Sequence, residues 1–212
     1  MGIIGVVAAL TLPNLNSSTG HKEKVTKVKK AYQNLSDALG RAQAVYGPLS
    51  EWKVNDSSSE APSTMFGERL TEFMKVSKSC GVYVAGCCAN NYKSLDGEAS
   101  DALCVSDMYT FILADGMNIA TYYWSGGGYS GYIYVDIDGP NKGPNTWGKD
   151  IFEFIIVNGE LYPAGYDLTT DASIKDACFG WGGRCANWVI QNENMDYLKC
   201  PDKLSLTNTT CK

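Results

Sequence analysis

From Val25 to Tyr46 the apolar residues return at alternating steps of three and four: Val25, Val28, Tyr32, Leu35, Leu39, Ala42 and Tyr46. That spacing lines them along one side of an α-helix. Gly47-Pro48 ends the pattern, because glycine suits the left-handed position after a helix and proline cannot continue it. The stripe covers only about three heptads, so it predicts packing on a sheet of the same chain rather than a coiled-coil seam. Ahead of it stands the apolar run "MGIIGVVAALTLPNL", and the polar stretch between the two reads as a loop or frayed turn.

Downstream the period changes from helix to strand. "EWKVNDSSSEAPS" is a loop by its serines, aspartate and proline, and a short helix follows. Thr64 is its expected cap, Glu68 lies in its first turn, and Phe66, Leu70, Phe73 and Met74 form its buried side. Residues 80–104 show no periodicity and are assigned to a loop. Two β-rich runs flank Asp115-Gly116, and another two flank Asn158-Gly159, both strong hairpin signals. "SGGGYSG" joins them through the alternating strand "YIYVDIDG". The expected fold is α+β: a long N-terminal helix packed on an antiparallel sheet of four to five strands, over residues 108–163, with disulfide-tied loops. Residues 167–212 read as irregular. The expected organisation is an apolar segment at 1–14, an amphipathic helix at 15–47 and a globular head at 48–212.

The chain has eight cysteines, and neither "CGVYVAGCC" nor "CFGWGGRC" has the C-x₂-C knuckle of a structural zinc site. The single histidine, His21, is far from all of them in sequence and reads as a surface residue. Disulfides formed in an oxidising compartment are therefore expected. Short loops close most readily, which pairs Cys178 with Cys185 and Cys200 with Cys211. The pairing among Cys80, Cys87, Cys88 and Cys104 stays open.

A net charge of −5 argues against nucleic acid as the main partner. Lys22, Lys24, Lys27, Lys29 and Lys30 cluster in "HKEKVTKVKK" and read as a solvated helix face. With one histidine and no G-x-S-x-G, P-loop or H-E-x-x-H, no enzymatic machinery is marked out. One loop offers hard oxygens: Asp136, Asp138, Asn141, Asn145 and Asp150, in "DIDGPNKGPNTWGKD". They would suit Ca²⁺, the one candidate cofactor, although the EF-hand pattern is absent. Asx-turns that cap backbone groups are the preferred account of the same residues. Trp147, Trp181 and Trp188 could form an aromatic face for a glycan or protein, or fill small local cores.

The opening run carries a resemblance. "GIIGVVAALTLP", followed by a long amphipathic helix, an antiparallel sheet and a C-terminal cysteine loop, resembles the type IV pilin and type II secretion pseudopilin superfamily. Ile3, Ile4, Gly5, Ala8, Ala9 and Pro13 match that family's I-I-G-x-x-A-A-x-x-x-P segment, and "GPNTWGKDIFEF" is similar to a segment found later in such proteins. The leader, the cleavage glycine and the glutamate near the mature N-terminus are not in the sequence. The resemblance implies that about ten apolar residues precede Gly2 in the native chain, completing the roughly 20 that a bilayer span needs.

A secretory signal peptide fits less well, since no basic residues precede the run and no small-x-small site directly follows it. A strand fits less well because Gly5, Ala8 and Ala9 are poor strand formers. The resemblance implies a structural subunit of a cell-envelope filament. Its core helix would comprise Ile3, Ile4, Gly5, Val6, Val7, Ala8, Ala9, Leu10, Leu12 and Pro13. It would be anchored in the inner membrane before assembly and afterwards stand in a periplasmic or extracellular filament. The partners implied are its own copies and related pilin-like subunits. The alternatives are a secreted or surface binding module and, more remotely, a carboxylate-based hydrolase.

Overall fold

A computed structural model describes residues 3–52, 61–82, 84, 86–89, 91–100, 103, 105, 107–126 and 129–212. The side chains of 3–19 and 124–130 lie outside that description, and with them the core-helix residues Ile3 to Pro13 as side chains. Helix α1 runs without interruption over Ile3–Tyr46, so the polar stretch before the stripe is helical rather than a loop. Gly47, at φ +83°, takes the left-handed position that ends it. Of the stripe, Val25, Val28, Leu35, Leu39 and Ala42 are buried, while Tyr32 and Tyr46 are half-buried against the same core. Ala31 and Ala38 are buried beside them, which widens the stripe into a face.

Helix α2, Ala61–Thr71, begins before Thr64, which therefore lies inside the helix and not at its cap. Pro62 occupies the first turn, where a missing N–H costs nothing. Phe66 and Leu70 are fully buried, whereas Phe73 and Met74 come after the helix and are only partly covered.

The sheet has six strands rather than four to five, and all neighbours are antiparallel: β1 Val76–Val82, β4 Tyr109–Leu113, β5 Asn118–Gly126, β6 Tyr129–Asp136, β7 Ile151–Val157 and β8 Glu160–Pro163. The additional strand is β1, an edge strand whose pairing with β4 is broken by two irregularities and whose only fully buried residue is Cys80. A bulged edge strand shows little alternation, which is why the end of β1, from Cys80 on, reads as part of the 80–104 loop. The short pair β2 Tyr92–Lys93 and β3 Ala99–Ser100 also falls inside that stretch.

Ile119, Ile133, Val135, Phe152, Phe154 and Ile156 point from the sheet into the main core, shared with α1 and α2. Tyr32 stacks on Phe154 at 5.8 Å between centroids and donates its hydroxyl to the Leu161 carbonyl at 3.2 Å. Gln43 donates to the Gly159 carbonyl and accepts from the Leu49 N–H, fixing the end of α1 to the β7–β8 turn. On the opposite face Tyr92, Leu103, Ala120, Trp147 and Ile151 form a second, smaller core.

The C-terminal region contains α3, Asp171–Ile174, capped by Thr170, and α4, Ala186–Asn192, so it is less irregular than its composition suggests. Disulfides join Cys80 to Cys87, Cys178 to Cys185 and Cys200 to Cys211. Cys88 is also disulfide-bonded, and Cys104 lies outside the described residues. Among the described residues no helix is long and apolar enough to cross a membrane.

Candidate functional site

The lysine cluster on α1 grips the head. Lys27 Nζ lies 2.7 Å from Asp138 Oδ1, and Lys24 Nζ lies 3.2 Å from Asp138 Oδ2. Lys24 also donates to the Lys149 carbonyl at 3.1 Å. Lys30 pairs with Asp115 at 2.8 Å, and Lys29 with Glu193 at 2.5 Å. Four of the five lysines are thus matched to head carboxylates, Lys24 and Lys27 partly buried in doing so, while Lys22 and Lys30 remain exposed. Burial opposes the charge on Asp138, but the hydrogen bond from Lys27 and the two ammonium charges outweigh it and hold the carboxyl below its ordinary range. His21 is half-buried, and that burial, with Lys199 and Lys24 beside it, lowers its pKa.

Asp138 belongs to the connection between β6 and β7 that carries the hard-oxygen residues. The structure divides them. Asp138 is taken by the two lysines, and Asn141 is exposed on the turn. Asp136 and Asp150 are fully buried. Asp136 Oδ1 accepts from the N–H groups of Asp138 and Gly139 at 3.1 and 2.9 Å. Asp150 accepts from the N–H groups of Asn145 and Thr146 at 2.9 and 2.6 Å. These are the Asx-type contacts expected of such a loop.

They leave a remainder. The buried side-chain oxygens without a hydrogen-bond partner, among the described residues, are Asn118 Oδ1, Asp136 Oδ2 and Asn145 Oδ1. Burial raises Asp136 to about 7, the charge of Asp150 adds to it, and the two N–H donors offset part of the rise. Asp150 is raised too, chiefly by burial. Tyr92 lies close enough for both carboxylates to push its pKa upward, after burial as the main cause.

Asn118 had no place in the sequence-derived set. It starts β5 directly after the Asp115-Gly116 hairpin, and only the register of β5 on β6 brings it opposite Asp136. Glu153 is the other unexpected group: a carboxyl inside the apolar strand β7, 8% exposed and raised to about 7 by burial, with Arg184 offsetting and Asp167 adding to the shift. A lone Glu in "IFEFIIV" was the signal available for it.

The tryptophans separate as well. Trp147 and Trp181 stack at 5.4 Å, Trp147 donates to Ser100 Oγ at 2.8 Å, and Trp181 remains 43% exposed. Trp188 is buried edge-on against Phe179 and donates to Asn194 Oδ1, so it belongs to a local core and not to the same face.

Comparison with known proteins finds no matching family model, no similar curated protein and no similar solved structure.

Proposed function

We propose that this chain is a pilin-like or pseudopilin-like subunit, a non-enzymatic structural protein whose N-terminal helix assembles a cell-envelope filament and whose α+β head faces outward. The observation that carries this reading is the division of one uninterrupted helix into two chemical parts. The first part bears the apolar sequence of Ile3 to Pro13, and the second is fixed to the sheet by the buried face from Val25 to Ala42 and by the lysine pairs. A helix that is apolar all round can rest in a membrane and then in a filament core, since both bury it. Small residues such as Gly5, Ala8 and Ala9 let neighbouring helices come close. The inner membrane before assembly, and a periplasmic or extracellular filament after it, are the matching locations; copies of the chain and related subunits are the partners. Nucleic acid is not expected as a partner, because Lys24, Lys27, Lys29 and Lys30 already have carboxylate partners.

The test is electron microscopy of native cells with immunogold labelling, together with mass spectrometry of the mature N-terminus. Labelled filaments and a processed apolar N-terminus are expected; a chain recovered only as a free monomer with an unprocessed N-terminus overturns the reading. A second reading, a surface module that binds a glycan, draws on the exposed Trp181 stacked on Trp147. It requires sugar-dependent quenching of tryptophan fluorescence that Trp181→Ala removes.

A further inference from the structure

Phe73 and Met74 stand in the connection between α2 and β1, where the core covers only part of each side chain. Their uncovered surface is the floor of a groove of about 390 Å³, and the buried Leu113 continues that floor. Sites for small molecules occupy roughly 300–1,000 Å³. Three elements wall the groove: α1 through Lys30, Asn34 and Asp37, the α2–β1 connection, and the β4–β5 turn. The turn is fixed to the connection by the Ala114 N–H, which donates to the Lys75 carbonyl at 2.8 Å. Arg41 lies over the Phe73 ring, 5.1 Å from its centroid, and holds it from the α1 side.

The charges of the groove do not cancel. Asp115 pairs with Lys30 at 2.8 Å and Asp37 with Arg41 at 3.6 Å, so each lining carboxylate has its own cation. Lys75 is exposed and, among the described residues, no carboxylate pairs with it. Asn34, exposed on α1, keeps its side-chain amide free in the same sense. An apolar floor beside one uncompensated ammonium matches a ligand with an apolar body and a single negative charge. The body displaces water from Phe73, Met74 and Leu113, and the anion takes a charge-assisted hydrogen bond. A cationic ligand would meet Lys75 as a like charge, and a neutral one would leave it unused.

We propose that this groove binds an aliphatic monocarboxylate, its chain on Phe73 and Met74 and its carboxylate on Lys75, with the Asn34 amide as the neighbouring donor. Neither the groove nor its charge depends on filament assembly. The occupant touches α1 and the head together, as the Lys30–Asp115 pair does, so it raises the melting temperature as its concentration rises.

The experiment titrates straight-chain carboxylates, from butanoate to octanoate, into the full chain labelled with ¹³C-methyl methionine, following the Met74 methyl resonance with thermal melting alongside. One octanoate per chain is expected, with affinity rising about two- to fourfold for each added methylene and with octanol about tenfold weaker than octanoate. Lys75→Ala lowers octanoate to the level of octanol and leaves octanol unchanged, which a general loss of structure would not do. Ala114→Trp, at an exposed position on the groove wall, fills the groove and abolishes binding of both. Lys142→Ala, exposed on the β6–β7 connection, alters neither. Should Ala114→Trp fail to fold, Lys75→Ala still decides. Absence of a saturable Met74 shift and of a melting shift at millimolar octanoate overturns the site. Affinity that ignores chain length overturns the apolar floor, and equal binding of octanol and octanoate by the parent overturns the part given to Lys75.

Discussion

Lys27 and Asp138 are 111 residues apart in the chain, yet Lys27 Nζ lies 2.7 Å from Asp138 Oδ1, and the same carboxylate takes Lys24 on its other oxygen. One side chain of the head therefore anchors two successive turns of α1. Removing it in Asp138→Ala leaves two lysines without their partner and is expected to cost about 1–2 kcal/mol at neutral pH and low salt, shrinking as salt is added. Because the folded pKa of Asp138 is lowered, its contribution is present above the ordinary carboxylate pKa and disappears as pH falls through the folded value. Urea denaturation of parent and variant at neutral and acid pH measures both effects. Equal stability at neutral pH refutes the anchor.

Two helical glycines should respond oppositely to alanine. A Cβ on Gly67 of α2 would stand 2.1 Å from Tyr109 Cδ1 and 2.5 Å from its Cγ, and Tyr109 is itself tied to Ser79 by a hydroxyl hydrogen bond. Gly67→Ala is expected to destabilise by about 1–3 kcal/mol through overpacking. A Cβ on Gly40 of α1 meets nothing within 4 Å, so Gly40→Ala is expected to stabilise by up to about 1 kcal/mol through helix propensity. Thermal melts decide the matter, and two shifts of the same sign would contradict this account.

The helix face makes a steeper contrast. Leu35 is 0% exposed and Val45 63%. Leu35→Ala leaves a cavity between α1 and the sheet and is expected to cost about 2–5 kcal/mol, whereas Val45→Ala should stay within about 0.5 kcal/mol of the parent. Chemical denaturation of the two variants checks the ordering.

Glu153 supplies a pH dependence. Its folded pKa, pushed up to about 7 by burial, exceeds the ordinary 4.5, so between those values the fold keeps a proton that the unfolded chain releases. Stability then falls as pH rises from about 4.5 to about 7 and levels off beyond. Glu153→Gln keeps the shape and removes this slope. The variant should gain on the parent across that window, by on the order of 1–3 kcal/mol at its upper end. A stability difference that does not vary with pH would show that Glu153 keeps its ordinary pKa in the fold.

Much of this architecture is legible from local pattern, because helical spacing and turn chemistry are properties of neighbouring residues. The stripe from Val25 to Tyr46, the hairpin turns at Asp115-Gly116 and Asn158-Gly159, and the short cysteine loops belong to that class. Gly116 and Gly159 take positive φ as their turns require. What stays hidden depends on register. β1 becomes a strand only because β4 lies beside it, and Asn118 becomes a site residue only because β5 sets it against Asp136. The lysines could not be told from a solvent face, since their partners Asp115, Asp138 and Glu193 come from three distant connections.

The three disulfides among the described residues span 7, 7 and 11 residues, and α1 contains no cysteine. Covalent closure by these three is therefore local to the loops. The join between helix and head rests on packing, hydrogen bonds and charge, so it can be released and remade at equilibrium, whereas an oxidised loop cannot change its crosslink without an electron donor or another thiol.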